Sequence, residues 1–321
     1  MDEEFRLLRK YFAPLSRYPG AQNLSNDAAL LKFENKNSVI SSDMMIEGIH
    51  FTTKHNPKFL AQKLLRVNLS DLAAMGAVPY VYLLNIAIPS AKTLNWLKDF
   101  SEGLHIDQKK FNIKLVGGDF SRSSKVFISI SILGKLKKRF HSNSSAKAGS
   151  SIYVSNFIGD SAIGFKLNRS KTFSNLSELS KKYFIKKFLL PVPRIELGQK
   201  LLDYAEVCTD ISDGLVRDLN KLCYHSRLGA NIFCSRIPLS LHAKKLMAKH
   251  KNRQNFWETI LLGGEDYELL FSVNKDKEQN FLKFFKTQVF KVGNFLEGSS
   301  VSVFDDKGKL IKLKNKGFSH F

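Results

Sequence analysis

Seven aspartates occur within or beside apolar or glycine-rich segments in which lysine is nearly absent. They are Asp27, Asp43, Asp71, Asp119, Asp210, Asp213 and Asp266. Carboxylates that are buried without basic partners are destabilised and tend to take up protons. Convergence of several of them on divalent cations relieves that penalty. Because all seven offer hard oxygen ligands and no Cys/His cluster competes, the pattern favours Mg²⁺ over Zn²⁺.

Two glycine pairs suggest what such cations would act on. Gly117-Gly118 and Gly263-Gly264 allow the backbone to approach a phosphate closely. Mg²⁺ held by carboxylates usually shares its coordination shell with substrate phosphates. No Ser-His-Asp set or reactive cysteine stands out as a covalent nucleophile. The residues therefore predict a Mg²⁺-dependent enzyme that acts on a phosphate compound.

The segment around Asp210 and Asp213 predicts how two of these acids are positioned. A short strand through Val207 leads into an acidic turn, and leucines at helical spacing follow over residues 215–222. Acids in the first turn of a helix suit its macrodipole. An ordinary N-terminal cap by Ser212 or Asp213 explains the same pattern and stays open.

Other elements would position the remaining acids. A helix over Phe59–Met75 places Asn68 and Asp71 on one face, and a strand over Ser38–Ser42 ends at Asp43. The strand Ile113–Val116 ends in Gly-Gly-Asp. Further strands are predicted over Asn26–Leu31, Tyr80–Ile88, Val126–Leu133, Ser151–Ser155, Ala230–Phe233, Leu269–Val273 and Val289–Val292. Helices are predicted over residues 5–12, Thr93–Gln108 and Ile195–Tyr204, with a loop and a solvated helix over Lys166–Phe188.

The length of 321 residues favours two domains. The basic, Ser-rich stretch 135–150 lacks apolar periodicity and predicts a linker. It would separate an N-terminal α/β domain (1–140) from a C-terminal α/β domain (150–321).

The segment Leu72–Ala91 carries no formal charge, but Gly76 and Pro79 interrupt it. It therefore predicts the end of a buried helix followed by a buried strand, rather than a membrane span.

The charge and cysteine content narrow the class of protein. The 50 basic and 29 acidic residues give a net charge of +21, which raises nucleic acid as a partner. The lysines are scattered, however, and an AT-rich genome produces the same composition, so nucleic-acid binding is not favoured.

The N-terminus is acidic and then amphipathic, unlike a secretory signal. Cys208, Cys223 and Cys234 lack metal-binding spacing and predict reduced, packed thiols in a cytoplasmic protein.

Eight segments, taken together and in order, resemble the thiamine-monophosphate kinase family. That family belongs to the superfamily that includes aminoimidazole ribonucleotide synthetase and selenophosphate synthetase. The segments are NDAALL (26–31), SSDMMIEGIHF (41–51), VNLSDLAAMGAVP (67–79), LVGGDFSR (115–122), GDSAIG (159–164), DISDGLVRDL (210–219), GGEDYELLF (263–271) and KGFSHF (316–321). The second, third and seventh point to the thiamine enzymes within the superfamily.

The resemblance implies a mixed α/β (α+β) fold of two domains, like that of aminoimidazole ribonucleotide synthetase. The N-terminal sheet would pair with that of a second subunit in a homodimer, with ATP bound between the domains. The implied reaction converts ATP and thiamine phosphate to ADP and thiamine diphosphate by direct transfer of the γ-phosphoryl group. Positioning and charge neutralisation by several Mg²⁺ ions would supply the catalysis.

The resemblance also implies site residues at matching positions. Those for Mg²⁺ are Asp27, Ser41, Ser42, Asp43, Asp71, Asp119, Asp210 and Asp213. Those for ATP are Gly118, Asp119 and Ser212, with Phe111 and Asn143 at positions where the family usually has a tyrosine and an arginine. Those for thiamine phosphate are His50, Glu265 and Phe318.

The chain departs from the family pattern at two further positions. Asn26 stands where a carboxylate is usual, and Phe120 replaces the threonine after Gly-Gly-Asp. These departures bear on ATP affinity and rate more than on reaction type. Two alternatives stay open: another ATP-using enzyme of the superfamily, and a basic nucleic-acid-binding protein that has lost catalysis. The second predicts steeply salt-dependent binding.

Overall fold

The computed structural model describes residues 26–33, 36–90, 94–137, 139–169, 173, 176–250, 252–285, 287 and 289–313. The predicted helix over residues 5–12 and the predicted substrate residue Phe318 lie outside these ranges. Two mixed sheets organise the described chain, one in each half.

The first sheet has the strand order β1-β2-β5-β3-β4, with β3 and β4 parallel and the other neighbours antiparallel. Helix α1 packs against β2, β3 and β5, and α2 packs on α1. The bounds are β1 Ala29–Phe33, β2 Lys36–Ile46, α1 Pro57–Ala74, β3 Val78–Ile88, α2 Leu94–Phe111, β4 Lys114–Arg122 and β5 Phe127–Lys135.

Strand β5 shows how this sheet separates its two faces. Ile128, Ile130 and Ile132 are fully buried in the core under α1, whereas Ser129 and Ser131 alternate with them on the opposite face. We call this opposite face the outer face. Along β2 the same alternation places Met44 on the outer face, where it is 53% exposed. The outer face therefore includes apolar surface that the described chain leaves exposed.

The second sheet has the strand order β11-β8-β10-β6-β9-β7. Its strands are β6 Ser151–Val154, β7 Ala205–Asp210, β8 Gly229–Phe233, β9 Leu269–Val273, β10 Phe290–Leu296 and β11 Val301–Phe304. The helices of this half are α3 Asp160–Arg169, α4 Glu178–Leu189, α5 Ile195–Leu201, α6 Leu215–Ser226, α7 Leu241–Lys249, α8 Arg253–Leu262 and α9 Lys275–Phe285.

Helix α1 joins the two halves. It begins at Pro57, and the side chain of the preceding residue, Asn56, accepts a hydrogen bond from the backbone N–H of Lys58. Most of its length is buried, and its later turns contact α5 and β7 of the second half. The contact with α5 is close, because a Cβ atom on Gly198 would lie 2.0 Å from the carbonyl oxygen of Ala73. The last turns of α1 therefore lie beside β7, the strand that ends at Asp210.

Three element predictions were wrong in ways that matter for the site. Strand β2 does not end at Asp43 but continues to Ile46, and β4 runs through Gly-Gly-Asp to Arg122. Pairing with neighbouring strands sustains both extensions. Helix α4 is not simply solvated, because Phe184 and Phe188 are buried in the core.

Residues 139–150 pack against both halves of the chain. The side chains of His141 and Asn143 are buried, and Ser142 forms a β-bridge with Val207. The His141 Nε2 atom lies 2.9 Å from the carbonyl oxygen of Gly198. This segment therefore follows a fixed path beside β7, although it contains no helix or regular strand.

Two further features concern membrane and redox chemistry. Within the described chain, none of the helices combines the length and the apolar character needed to span a membrane. All three cysteines are free and buried. The prediction of packed thiols is confirmed.

Candidate active site

A cavity of about 540 Å³ lies between the end of β2, helix α1 and the loops of the second half. Gly214, with φ of +117°, precedes α6, and a Cβ atom there would lie 2.8 Å from the backbone of Leu262, which lines the cavity. The lining residues include Asp43, Met45, Ile49, His50, Val67, Ala162, Phe165, Lys166, Ser212, Asp213, Asn255, Glu258, Thr259, Leu262, Gly264, Glu265 and Tyr267. The cavity thus combines apolar walls with several carboxylates.

Asp43 lines this cavity and lies close to three further aspartates, and we call Asp27, Asp43, Asp71 and Asp210 the acid cluster. Burial raises the pKa of each carboxyl, and for Asp43, Asp71 and Asp210 the charges of neighbouring carboxylates raise it further. For Asp43 the pKa rises to about 6. The elements that bring them together are the segment before β1, strand β2, the end of α1 and the end of β7. The sequence prediction that these acids converge is supported by this arrangement.

Neutral side chains hydrogen-bond to the first member of the cluster. The Thr209 hydroxyl donates to Asp27 Oδ1 over 2.8 Å, and the Asn143 amide nitrogen lies 3.4 Å from Asp27 Oδ2. The Ser41 hydroxyl contacts both the Asp27 carbonyl oxygen and Asp71 Oδ2. Ser41 therefore connects two of the carboxylates.

Helix α1 supplies the next contacts. Asn68 is fully buried, and its Oδ1 accepts a hydrogen bond of 3.1 Å from the Asp43 backbone N–H. The Ser70 hydroxyl donates to Asp210 Oδ2 over 2.5 Å. Of the two polar residues predicted on one face of this helix, Asn68 thus contacts strand β2 and Asp71 belongs to the acid cluster. The Ser70 contact holds the end of strand β7.

Asp213 lies three residues after Asp210, in the turn before α6, and it has basic partners. Lys221 Nζ lies 2.8 Å from Asp213 Oδ2 and 2.9 Å from Asp218 Oδ1, and Arg217 Nε lies 3.7 Å from Asp213 Oδ2. Burial lowers the pKa of Lys221, but these two aspartates outweigh it and hold the pKa above its usual range. The sequence analysis missed Asp218 and Lys221, although the two are three residues apart on α6 and so lie on one face of the helix.

The donor set suits a hard cation. The hydrogen bonds described for Asp27, Asp71 and Asp210 come from hydroxyl and amide groups, so their negative charge is not neutralised by those partners. Among the described residues, no three His, Cys, Asp or Glu side chains form a ready-made metal site. Mg²⁺ usually retains waters and takes substrate phosphates into its shell. Loosely grouped carboxylates beside a cavity fit that behaviour.

Ser42 and Asp119 are not brought to the acid cluster. The Ser42 hydroxyl is hydrogen-bonded to the Ile130 carbonyl oxygen. Asp119 pairs across the sheet with Asn85, which pairs with Ser129 and then Met44. Three strand spacings, roughly 14 Å, therefore separate Asp119 from β2. Strand alternation and sheet order, which are not local properties of the sequence, place these two residues on the outer face.

The predicted ATP residues fall into two groups. Ser212 lines the cavity, and Asn143 lies beside Asp27. Gly118 is on β4, and Phe111 ends α2. Gly118 has φ of +147°, and a Cβ atom there would lie 1.8 Å from the Leu84 carbonyl oxygen, so close strand packing requires glycine at this position.

His50 and Glu265 both line the cavity. His50 Nδ1 accepts a hydrogen bond of 3.0 Å from the Ile46 backbone N–H, which orients the ring after the β2 turn. Glu265 has φ of +74°, and its backbone N–H donates to the Ser212 carbonyl oxygen over 2.8 Å. The two residues thus enter the cavity from opposite halves of the chain.

Asp266 was predicted among the acids that would bind a cation, but it is not part of the acid cluster. Its carboxylate accepts hydrogen bonds from the backbone N–H groups of Gly159, at 2.7 Å, and Ser161, at 3.3 Å. It therefore caps the start of α3. The cavity walls from α3 and α8, including Phe165 and Glu258, were also missed, because their spacing is that of ordinary amphipathic helices.

Comparison with known proteins decides the family. AIR synthase related protein, N-terminal domain, matches residues 25–136, and AIR synthase related protein, C-terminal domain, matches residues 147–306. Thiamine-monophosphate kinase of Buchnera aphidicola subsp. Acyrthosiphon pisum is 36% identical over 326 residues, covering 99% of this chain and 98% of that protein. The Escherichia coli K12 enzyme is 34% identical over 325 residues, with the same coverage of each.

The chain belongs to the thiamine-monophosphate kinase family.

A solved structure of a relative agrees with this placement. The structure described as "AaThiL complexed with AMPPCP and TMP" superposes with a TM-score of 0.84 at 30% identity, covering 98% of each chain. The family resemblance of this chain and its mixed α/β two-domain fold, both predicted from the sequence, are therefore confirmed.

Proposed function

We propose that this protein transfers the γ-phosphoryl group of ATP to the phosphate of thiamine phosphate, giving thiamine diphosphate and ADP. The observation that carries this proposal is full-length identity of 34–36% to proteins named as thiamine-monophosphate kinases, in a chain whose cavity adjoins the acid cluster. The AaThiL complex, which contains AMPPCP and TMP, supports the same substrates here.

Mg²⁺ is the proposed cofactor, with ligands drawn from Asp27, Asp43, Asp71 and Asp210. Asp213 and Ser41 are proposed to contribute from the margin of the cluster. Bound Mg²⁺ would neutralise phosphate charge during transfer. The protein's contribution is to hold these oxygens in place through Thr209, Ser41 and Ser70, and no side chain is needed as a covalent nucleophile.

Thiamine phosphate is proposed to occupy the cavity. Its aromatic rings would pack against apolar walls such as Phe165 and Leu262, and its phosphate would face the acid cluster and its cations. His50 and Glu265 would contact the substrate from the two halves of the chain. Phe318 remains a predicted substrate residue outside the described ranges.

ATP is proposed to use residues from two copies of the chain. Asn143 and Ser212 adjoin the acid cluster, whereas Gly118, Asp119 and Phe111 lie elsewhere on the first sheet or its helices. The partly apolar outer face suits association with a second N-terminal sheet. A homodimer of this kind would bring Gly118 and Asp119 of a second copy to the first copy's acid cluster.

Mixing two inactive variants tests the shared site. Asp119→Asn and Asp210→Asn homodimers should each be nearly inactive. Subunit exchange between them should restore up to about a quarter of wild-type activity, because mixed dimers contain one site without either substitution. Failure to regain activity, with exchange verified by differently tagged subunits, would place both residues in a site formed by one chain.

The reaction itself is tested with purified protein, ATP, Mg²⁺ and thiamine phosphate. Thiamine diphosphate should form only with all components, and neither the metal-free reaction nor free thiamine should yield product. ATP hydrolysis without thiamine diphosphate would instead indicate another reaction within the superfamily. Tight, salt-sensitive RNA binding without Mg²⁺-dependent ATP turnover would favour the nucleic-acid alternative. A cytoplasmic location is proposed alongside the enzyme function.

A further inference from the structure

Lys63 is a lysine of helix α1 that lies almost entirely out of solvent. Its side chain is 6% exposed, and its Nζ atom lies 2.7 Å from Glu265 Oε2. The same ammonium group lies 3.5 Å from the centroid of the Phe188 ring. Burial lowers the pKa of Lys63, and the negative charge of Glu265 opposes that shift. A lysine in such a place requires its anionic partner to remain charged.

The partner, Glu265, lies in a strained loop. Glu265 has φ of +74° and Tyr267 has φ of +51°, and both side chains line the cavity. At Gly264 a Cβ atom would lie 1.9 Å from the Ser212 carbonyl oxygen. Non-glycine residues persist in this backbone region when their surroundings hold them there. Lys63, which is itself not among the cavity-lining residues, supplies such a contact from the other half of the chain.

We propose that Lys63 is a positioning residue for substrate recognition: its ion pair with Glu265 directs that carboxylate towards the cationic, amine-bearing rings of thiamine phosphate. This inference rests on the proposed function. With Oε2 paired with Lys63, the second carboxylate oxygen of Glu265 is available to the amino group of the aminopyrimidine. Lys63 acts through Glu265 and does not touch substrate.

The chain offers a matched control on the same helix. Lys58 Nζ lies 2.5 Å from Glu102 Oε1, but the two side chains are 33% and 51% exposed. Exposed pairs of this kind contribute little to stability. Lys58→Met therefore removes a lysine ion pair from α1 without affecting the cavity, and it should leave both KM values and kcat unchanged.

The test compares Lys63→Met, Glu265→Gln and the double variant. Each single change should raise the KM for thiamine phosphate about tenfold, with the KM for ATP and kcat within about twofold of wild type. The double variant should be no worse than either single variant, because the two residues act as one unit. Calorimetric binding of thiamine phosphate without ATP should weaken in parallel.

Several results would overturn the inference. An unchanged KM for thiamine phosphate in Lys63→Met, or equal losses in both KM values and kcat, would make Lys63 a general structural contact. Additive effects in the double variant would show that it does not act through Glu265. Thiamine phosphate turnover by the wild type together with any of these results would leave the proposed function intact. A wild type that neither binds nor phosphorylates thiamine phosphate would overturn both.

A conservative variant keeps the test decisive if Lys63→Met does not fold. Lys63→Arg retains the charge and should keep the KM for thiamine phosphate within about threefold of wild type, while Glu265→Gln raises it about tenfold. The opposite order, with arginine more damaging than loss of the Glu265 charge, would contradict positioning through the ion pair.

Discussion

Two clusters of buried polar side chains adjoin helix α1, and they differ in whether their acids have a basic partner. In the middle of the helix, Arg66 donates two hydrogen bonds to Asp107, at 2.6 and 2.9 Å, and Gln62 donates a third at 3.0 Å. At its end, Asp71 belongs to the acid cluster, whose described hydrogen bonds come from hydroxyl and amide groups. The Arg66–Asp107 group neutralises its own charge, and the acid cluster does not.

This difference separates a structural role for Asp107 from the cation-binding role proposed for the acid cluster. Replacing one member of a buried, neutralised pair leaves a charge without a partner and destabilises the fold. Neutralising one member of a group of like charges relieves repulsion instead. Retention of the acid cluster in spite of that repulsion is explained if cations bind there during function. Substitutions in the two groups should therefore have opposite effects on activity and stability.

The largest effect is expected for Asp210→Asn. Loss of one oxygen charge from the acid cluster should lower kcat/KM with Mg²⁺-ATP by about 10²–10³-fold, the range seen when one electrostatic contact to the reacting groups is removed. The unfolding temperature without Mg²⁺ should stay the same or rise. Near-wild-type turnover in this variant would remove Asp210 from the cation set.

The opposite pattern is expected for Asp107→Asn. The Arg66 guanidinium would remain buried, with its Nη1 still donating to the Pro191 carbonyl oxygen but without its anion. The free energy of unfolding should fall by about 3–5 kcal/mol, measured by urea denaturation. The specific activity of the folded fraction should be unchanged. A large loss of activity without loss of stability would erase the distinction between the two groups.

Mg²⁺ itself should sharpen the contrast. At about 100 times its dissociation constant, Mg²⁺ should stabilise the wild type by about 2.7 kcal/mol, seen as a rise in unfolding temperature. Asp71→Asn should abolish most of this stabilisation, whereas an exposed control, Asp203→Asn, should retain it. Equal Mg²⁺ stabilisation of both variants would show that the cation binds elsewhere.

A smaller effect is expected for Asn26→Asp. Asn26 is adjacent to Asp27, and its Nδ2 atom donates to the His141 carbonyl oxygen over 3.2 Å. An added carboxylate should raise Mg²⁺ affinity a few-fold and lower stability without Mg²⁺ by about 1 kcal/mol, through the lost hydrogen bond. Calorimetric titration of Mg²⁺ checks the first effect. An unchanged affinity would mean that residue 26 does not face the cluster.

Four of the seven aspartates predicted to converge, Asp27, Asp43, Asp71 and Asp210, lie in the acid cluster, and each occurs within or beside an apolar segment. Such positions are local properties of the chain. The outer-face location of Asp119 could not be predicted in the same way, since it depends on which strand separates β2 from β3. The helix-capping role of Asp266 depends on its contact with residues 159–161, far away in sequence.

Lys63 is a residue whose proposed role could not be predicted from the sequence. In the sequence it is one of many lysines, and helical periodicity alone does not indicate whether such a side chain is buried. Its role follows from the packing of α1 against the second half of the chain, which places it beside Glu265 and Phe188. The proposed role of Lys63 therefore depends on contacts between the two halves of the chain, which local sequence patterns do not indicate.

The most direct test of the proposal that the acid cluster binds cations is to locate the metal. Crystals grown with Mn²⁺, a nonhydrolysable ATP analogue and thiamine phosphate would show metal positions by anomalous diffraction. Peaks are expected within bonding distance of carboxylate oxygens of Asp43, Asp71 or Asp210, beside the occupied cavity. Full occupancy of both substrates with no metal peak at the acid cluster would contradict cation binding there.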